Sequence, residues 1–191
     1  MVFDVETTGL PSKRSCSYKD LEVFEKARMI ELGYIVLSAD CQQVLKERSV
    51  LVRTVDRVEN SEIHGITTLD LIERGVSTEE ALKMLEEDLL GVGTIVAHNL
   101  EFDTKILQSE MYRCKGNSKM IDDFVGKAKI CTMLYGKEIM GVKKWPKLTE
   151  LYAFLTGENL CQTHRALDDV CATVKCFRMM FAPIVNNTSS S

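Results

Sequence analysis

Met1-Val2-Phe3-Asp4-Val5-Glu6-Thr7-Thr8-Gly9-Leu10 opens the chain. Residues 1–5 read as a short apolar strand, and Thr7-Thr8-Gly9-Leu10-Pro11 as the turn that ends it. Alternation along a strand puts Asp4 and Glu6 on one face and Phe3 and Val5 on the other. Two unpaired carboxylates on a buried face are costly, and a cation between them removes the cost. An all-oxygen donor set favours a hard ion, Mg²⁺ or Mn²⁺, over zinc. On Asp-x-Glu alone, a solvent-facing edge strand with two surface acids is the commoner reading. The Thr-Thr-Gly-Leu that follows favours the first reading.

Outward from this strand, residues 12–26 are polar with scattered aromatics and read as a loop. Residues 28–37 and 44–53 are strand-like, joined as a hairpin around Ser38-Ala39-Asp40. Ser77 and Glu80 fit a capping box opening a helix over 77–90, with Ala81, Leu82, Leu85 and Leu89 on one face. Residues 94–97 form a short buried strand and 100–111 a helix carrying Phe102, Ile106, Leu107 and Met111. A further strand is expected over 128–133, a helix over 147–155, and a last long helix over 164–181. Its apolar stripe is Leu167, Val170, Cys171, Val174, Phe177 and Phe181. Strands come first, and helices then interleave with short strands. That order predicts an α/β fold: a mixed sheet of about five strands, antiparallel in its first three, flanked by helices. One domain over 1–185 is expected, with 186–191 as a disordered tail.

Of the 191 residues, 45% are apolar, enough for a substantial core. The net charge of −4 argues against a polyanion partner until its distribution is considered. Residues 113–147 hold nine basic and three acidic side chains, so the remainder of the chain carries −10. Such a basic stretch can steer a polyanion locally; a solvated lysine surface is the other reading. Seven cysteines without a Cys-x-x-Cys pair read as buried free thiols of a reducing compartment rather than a zinc site. No signal peptide or bilayer-length apolar run is evident, so an intracellular, membrane-free protein is expected.

Three more residues carry chemistry. Asp103 lies in the first turn of a helix just past a strand. There an acid is often only a partner of the helix dipole, although strand exits are also where α/β sites are built. His164 and Asp169 are five apart, about 140° on an ideal helix. They converge only if His164 lies on the loop before the helix and Asp169 within it. A helix-entry histidine bonded to the backbone is the structural alternative. Asp168 points one position away and reads as a surface or capping acid.

These segments together resemble the DEDDh branch of the DnaQ-like 3′→5′ exonucleases, which have a ribonuclease H-like fold. The similarity includes the proofreading domains of DNA polymerase III epsilon type. The first family motif matches Phe3-Asp4-Val5-Glu6-Thr7-Thr8-Gly9-Leu10. The second matches His98-Asn99-Leu100-Glu101-Phe102-Asp103, and the third His164-Arg165-Ala166-Leu167-Asp168-Asp169. Ile63-His64-Gly65-Ile66 and Lys144-Trp145-Pro146-Lys147-Leu148 also resemble family segments. Position 165 is Arg, where a tyrosine class would carry Tyr.

The resemblance implies two Mg²⁺ or Mn²⁺ ions held by Asp4, Glu6, Asp103 and Asp169, with His164 as general base. It implies a substrate pocket lined by Thr7, Thr8 and Leu10, with His64 near the sugar or base of the terminal nucleotide. The expected substrate is a single-stranded or frayed 3′ end of DNA, releasing nucleoside 5′-monophosphates, with a DNA polymerase as a partner in trans. RNA ends are the alternative substrate. A non-catalytic nucleic-acid-binding relative is the third reading, disfavoured because all five catalytic positions are present.

Overall fold

The computed structural model describes residues 1–54, 57–115 and 119–185; the tail expected at 186–191 lies outside them. Strand β1 (Val2–Thr7) is followed by a short 3₁₀ turn (Leu21–Phe24) and the long hairpin β2 (Met29–Leu37) and β3 (Val44–Leu51). Three helices come next, α1 (Ser61–His64), α2 (Thr68–Arg74) and α3 (Thr78–Asp88). Then follow β4 (Thr94–Ala97), α4 (Leu100–Lys115), α5 (Lys119–Val125) and β5 (Ala128–Cys131). Three helices end the described chain, α6 (Thr132–Met140), α7 (Leu148–Thr156) and α8 (Ala166–Val185). The sheet runs β3-β2-β1-β4-β5, antiparallel from β3 to β1 and parallel from β1 to β5. This is the expected mixed sheet of five strands.

The two faces of the sheet bury different partners. Phe3 and Val5 lie opposite Tyr34 and Leu32, and all four enter one core with Leu82 and Leu85 of α3, Ile106, Leu107 and Met111 of α4, and Phe124 of α5. Val2 and Ile35, paired on the other face, pack with Val170, Val174 and Phe177 of α8. Asp4 and Glu6 share that second face, so α8 covers the strand that carries them.

One glycine makes this close approach possible. Gly33 stands opposite Asp4. A Cβ there would lie 2.6 Å from the Ala166 carbonyl carbon and 2.6 Å from the Leu167 nitrogen, so only glycine lets the first turn of α8 rest on the sheet. Among the described residues, no helix is long and apolar enough to cross a membrane.

The structure corrects several local expectations. The strand expected to 133 stops at Cys131, because Thr132 begins α6, which the sequence reading did not anticipate. Helices α1, α2 and α5 were likewise unassigned; each is seven residues or shorter, too brief for a clear apolar period. The last helix begins at Ala166 rather than 164. Cys171 is exposed, and Ala172 and Cys176 instead pack against α7. Ser77 does cap α3, its hydroxyl accepting from the Glu80 N–H at 3.1 Å. The reciprocal half of that box is not formed among the described residues. All seven cysteines are free, but only Cys131 and Cys176 are buried.

Candidate active site

The site lies where β1 and β4 part. They pair only at Val2 and Val96, so β1 runs on past the end of its neighbour with an unpaired backbone edge. Asp103, in the first turn of α4, fills that gap. Its Oδ1 accepts from the Val5 N–H at 3.3 Å, and only 2% of the residue is exposed. Asn99, in the left-handed region at φ 68°, makes the sharp exit from β4 that puts α4's first turn there. A register shift after Glu6 then bends β1 into the Thr7–Thr8 turn.

Asp169 arrives on α8, over Gly33. Its Oδ2 accepts from Gln162 Nε2 at 2.7 Å. Carboxylate oxygens of Asp4, Glu6 and Asp169 all lie within 4.8 Å of one another, a spacing one cation could bridge. Burial, followed by repulsion from Asp103, Glu6 and Asp169, raises the Asp4 carboxyl well above the usual range. Glu6 is pushed up to about 8 by burial and by Asp169, Glu31 and Asp103. Burial raises Asp103 to about 8 and Asp169 above its ordinary value. Four carboxylates thus share a poorly solvated volume in which they cannot all ionise without a counter-charge. The donor chemistry fits a hard divalent cation.

His164 sits on the loop before α8 with φ 52°, a strained value for a non-glycine residue. It is half-buried and lies close enough to Asp169 for the two side chains to interact. Among the described residues its ring makes no hydrogen bond. The loop is held instead through the next residue. Arg165 Nε and Nη2 donate to Glu31 Oε2 and Oε1 at 3.0 and 2.6 Å, and the Ala166 N–H donates to Oε2 at 2.9 Å. Ser49 Oγ adds a fourth bond at 2.9 Å. Glu31 is fully buried and stands directly opposite Glu6 on β2. Like charges facing across strands repel, and Arg165 supplies the balancing charge.

Of the four expected substrate residues, Leu10 is 76% exposed and open to a ligand. The Thr7 hydroxyl donates to the Gly9 carbonyl at 2.7 Å. The Thr8 hydroxyl donates to the Lys26 carbonyl and accepts from the Arg28 N–H. Both threonine hydroxyls therefore shape the turn. His64 is 1% exposed, and burial lowers its pKa. Its Nδ1 accepts from the Ile66 N–H at 3.1 Å, so the neutral ring carries its proton on Nε2, which has no partner among the described residues. Asn60, whose Nδ2 donates to the Thr7 carbonyl, also keeps an unpartnered buried Oδ1. Phe102 packs against the main core, under Asp103. Asp168 is exposed and accepts from Thr163.

Glu31, Gly33, Gln162 and Asn60 were not singled out from sequence. A glutamate inside the apolar run Met29-Ile30-Glu31-Leu32 was the readable signal, since a charge there needs a partner.

The RNase T family model, described as an exonuclease, matches residues 1–177. No curated protein matches. Among solved structures, Exonuclease X in complex with 5′ overhanging duplex DNA shares the fold with a TM-score of 0.61 at 21% identity, over 100% of this chain and 92% of its own. Exonuclease I of E. coli in complex with a dA16 oligonucleotide gives 0.71 at 16% identity, over 98% of this chain and 42% of its own. Exonuclease I from Methylocaldum szegediense gives 0.67 at 17% identity, over 98% and 41%. The chain thus spans less than half the length of the Exonuclease I proteins. On the family match, the chain belongs to the RNase T exonuclease family, the DEDD-type exonucleases of the ribonuclease H-like fold.

Proposed function

We propose that this chain is a metal-dependent 3′→5′ exonuclease that removes nucleoside 5′-monophosphates from DNA ends. The observation that carries the reading is the convergence of Asp4, Glu6 and Asp169 within 4.8 Å, with Asp103 bonded to the Val5 N–H between the two β1 acids and the His164 loop beside Asp169. The four carboxylates would hold two Mg²⁺ or Mn²⁺ ions. Bound there, divalent cations supply Lewis-acid stabilisation of charge on the phosphoryl oxygens and ease deprotonation of the attacking water.

The protein's own groups do the rest. Neutral His164 takes the proton from the attacking water, a role typically worth about 10²–10⁴-fold in rate. Glu31, through Arg165 and Ala166, keeps the imidazole beside Asp169. His64 is placed near the sugar or base of the terminal nucleotide, whose binding would have to uncover the buried Nε2–H of His64 and the Oδ1 of Asn60 to use them as donor and acceptor. Leu10, open at the mouth of the turn, packs against the last base. The nucleic-acid complexes of Exonuclease X and Exonuclease I, both with DNA, support the choice of DNA over RNA.

The test is digestion of 5′-labelled single-stranded DNA, duplex DNA and RNA, with Mg²⁺ and with EDTA. Stepwise shortening of DNA from its 3′ end, abolished by EDTA, is expected. Internal cuts, release from the 5′ end, or activity insensitive to EDTA would contradict the proposal.

A further inference from the structure

His98 and the segment Lys144-Trp145-Pro146-Lys147 take no part in the proposed chemistry, yet the structure joins them. His98 directly follows β4, the strand next to β1, which carries Asp4 and Glu6. Its Nε2 lies 3.1 Å from the Pro146 carbonyl oxygen, and its Nδ1 3.1 Å from Thr132 Oγ1. Burial pushes its pKa down to about 4, so the ring is neutral. A carbonyl only accepts, so the single ring N–H is on Nε2, and Nδ1 accepts from the threonine hydroxyl. His98 therefore pins the loop between α6 and α7 to the active-site edge.

What the pinned loop presents is unusual. Pro146 and Leu148 are buried, while Trp145 between its neighbours is 63% exposed. Lys143, Lys144 and Lys147 around it are exposed. Lys144 pairs with Glu150 at 2.5 Å, whereas Lys143 and Lys147 form no salt bridge among the described residues. An exposed indole on a loop pinned through its Pro146 carbonyl, with exposed lysines on both sides, is complementary to a polymer of flat rings and phosphates. Stacking on an aromatic platform within a positive track is how single strands are held without regard to sequence.

We infer that the 141–147 loop is a platform for single-stranded DNA, on which Trp145 stacks with a base upstream of the 3′-terminal nucleotide while Lys143 and Lys147 contact the adjoining phosphates. The inference rests on the exonuclease reading for the direction of the strand. It adds a second point of hold, outside the catalytic cleft, that favours long single strands over short ones.

Trp145 is the only tryptophan in the chain, so intrinsic fluorescence reports on it alone. Oligothymidylates of two and twelve nucleotides are titrated into the wild-type protein in EDTA, where hydrolysis is off. The twelve-mer should quench the emission and shield it from iodide; the dimer should do neither. By anisotropy of a labelled twelve-mer, Trp145→Ala should bind about tenfold more weakly, and Trp145→Phe should recover most of the loss. A thermal melt confirms that both variants fold, because the side chain lies on the surface. Saturable binding of the twelve-mer with no change in tryptophan emission, or wild-type affinity in Trp145→Ala, would overturn the platform. Digestion of the same twelve-mer with Mg²⁺ separates the two ideas. Hydrolysis without quenching removes the platform and leaves the nuclease; quenching without hydrolysis does the reverse.

Discussion

On one face of β1, Phe3 and Val5 lie in a dry core, with the Phe3 ring edge-on to Phe124 at 5.8 Å. On the other face, Asp4 and Glu6 meet Asp103, Asp169 and Glu31, and burial and repulsion drive their pKa values up. The same six residues thus serve stability on one side and chemistry on the other. The apolar face contributes folding energy that holds the acidic face in an arrangement it would not adopt for its own sake. Loss of function and loss of fold should therefore separate cleanly between alternate residues.

The largest effects test that separation. Phe3→Ala removes a fully buried ring and should cost about 3–5 kcal/mol, a large share of a typical domain's stability. Its melt should shift down steeply or vanish. Asp4→Ala should leave the melt unchanged or raised, by relief of like-charge repulsion, while hydrolysis nearly stops. An unfolded Asp4→Ala protein, or one with wild-type turnover, would break the comparison.

Next comes the strut that joins the two halves of the site. Arg165→Ala should lower kcat by about a hundredfold, as displaced catalytic groups do, with KM changed little. In a His164→Ala background the same substitution should add almost nothing, because residues acting as a unit are non-additive. Fully additive losses would assign Arg165 to substrate binding or plain stability.

The third prediction concerns pH. In the metal-free protein, Glu6 and Asp103 titrate near 8, against about 4 in an unfolded chain. The folded state then binds more protons than the unfolded state, so stability must fall as pH rises between about 4 and about 8. The melting temperature of the protein in EDTA should decline across that window, and Mg²⁺ should flatten the decline by supplying the counter-charge. A melting temperature that rises through the window would contradict the shared burial of the carboxylates.

The smallest expected effect is at Asp168. This exposed acid should tolerate Asn within about 0.5 kcal/mol and with near-normal turnover, whereas its neighbour Asp169→Asn should be inactive. Paired rate measurements would show which of the two faces the cleft.

What was legible in the sequence divides along the same line. The hairpin, the mixed sheet and α8 follow from local period and turn chemistry, which any short window contains. The five catalytic candidates were legible because each sits in a distinctive local string. Glu31 was not, because its partners Arg165 and Ala166 lie more than 130 positions away, and no pattern within β2 announces them. Gly33 looked like a weak point in a strand until α8 was seen resting on it. Asn60 immediately precedes a four-residue helix, Ser61–His64, too short to leave a periodic trace, and His64 was legible only through its family string. Thr7 and Thr8, expected to line the substrate pocket, have hydroxyls that bond the backbone of their own turn and its neighbour, contacts no local string announces.

Asp4, Glu6, Asp103 and Asp169 are proposed to form one cation site. Calorimetric titration of Mn²⁺ into the wild-type protein, in the presence of a deoxynucleoside 5′-monophosphate, tests it most directly. Saturable binding of two ions per chain is expected, lost or reduced in Asp4→Ala and in Asp169→Asn, and unaffected by Asp168→Asn. No saturable binding, or the same isotherm from Asp4→Ala and Asp169→Asn as from wild type, would contradict it.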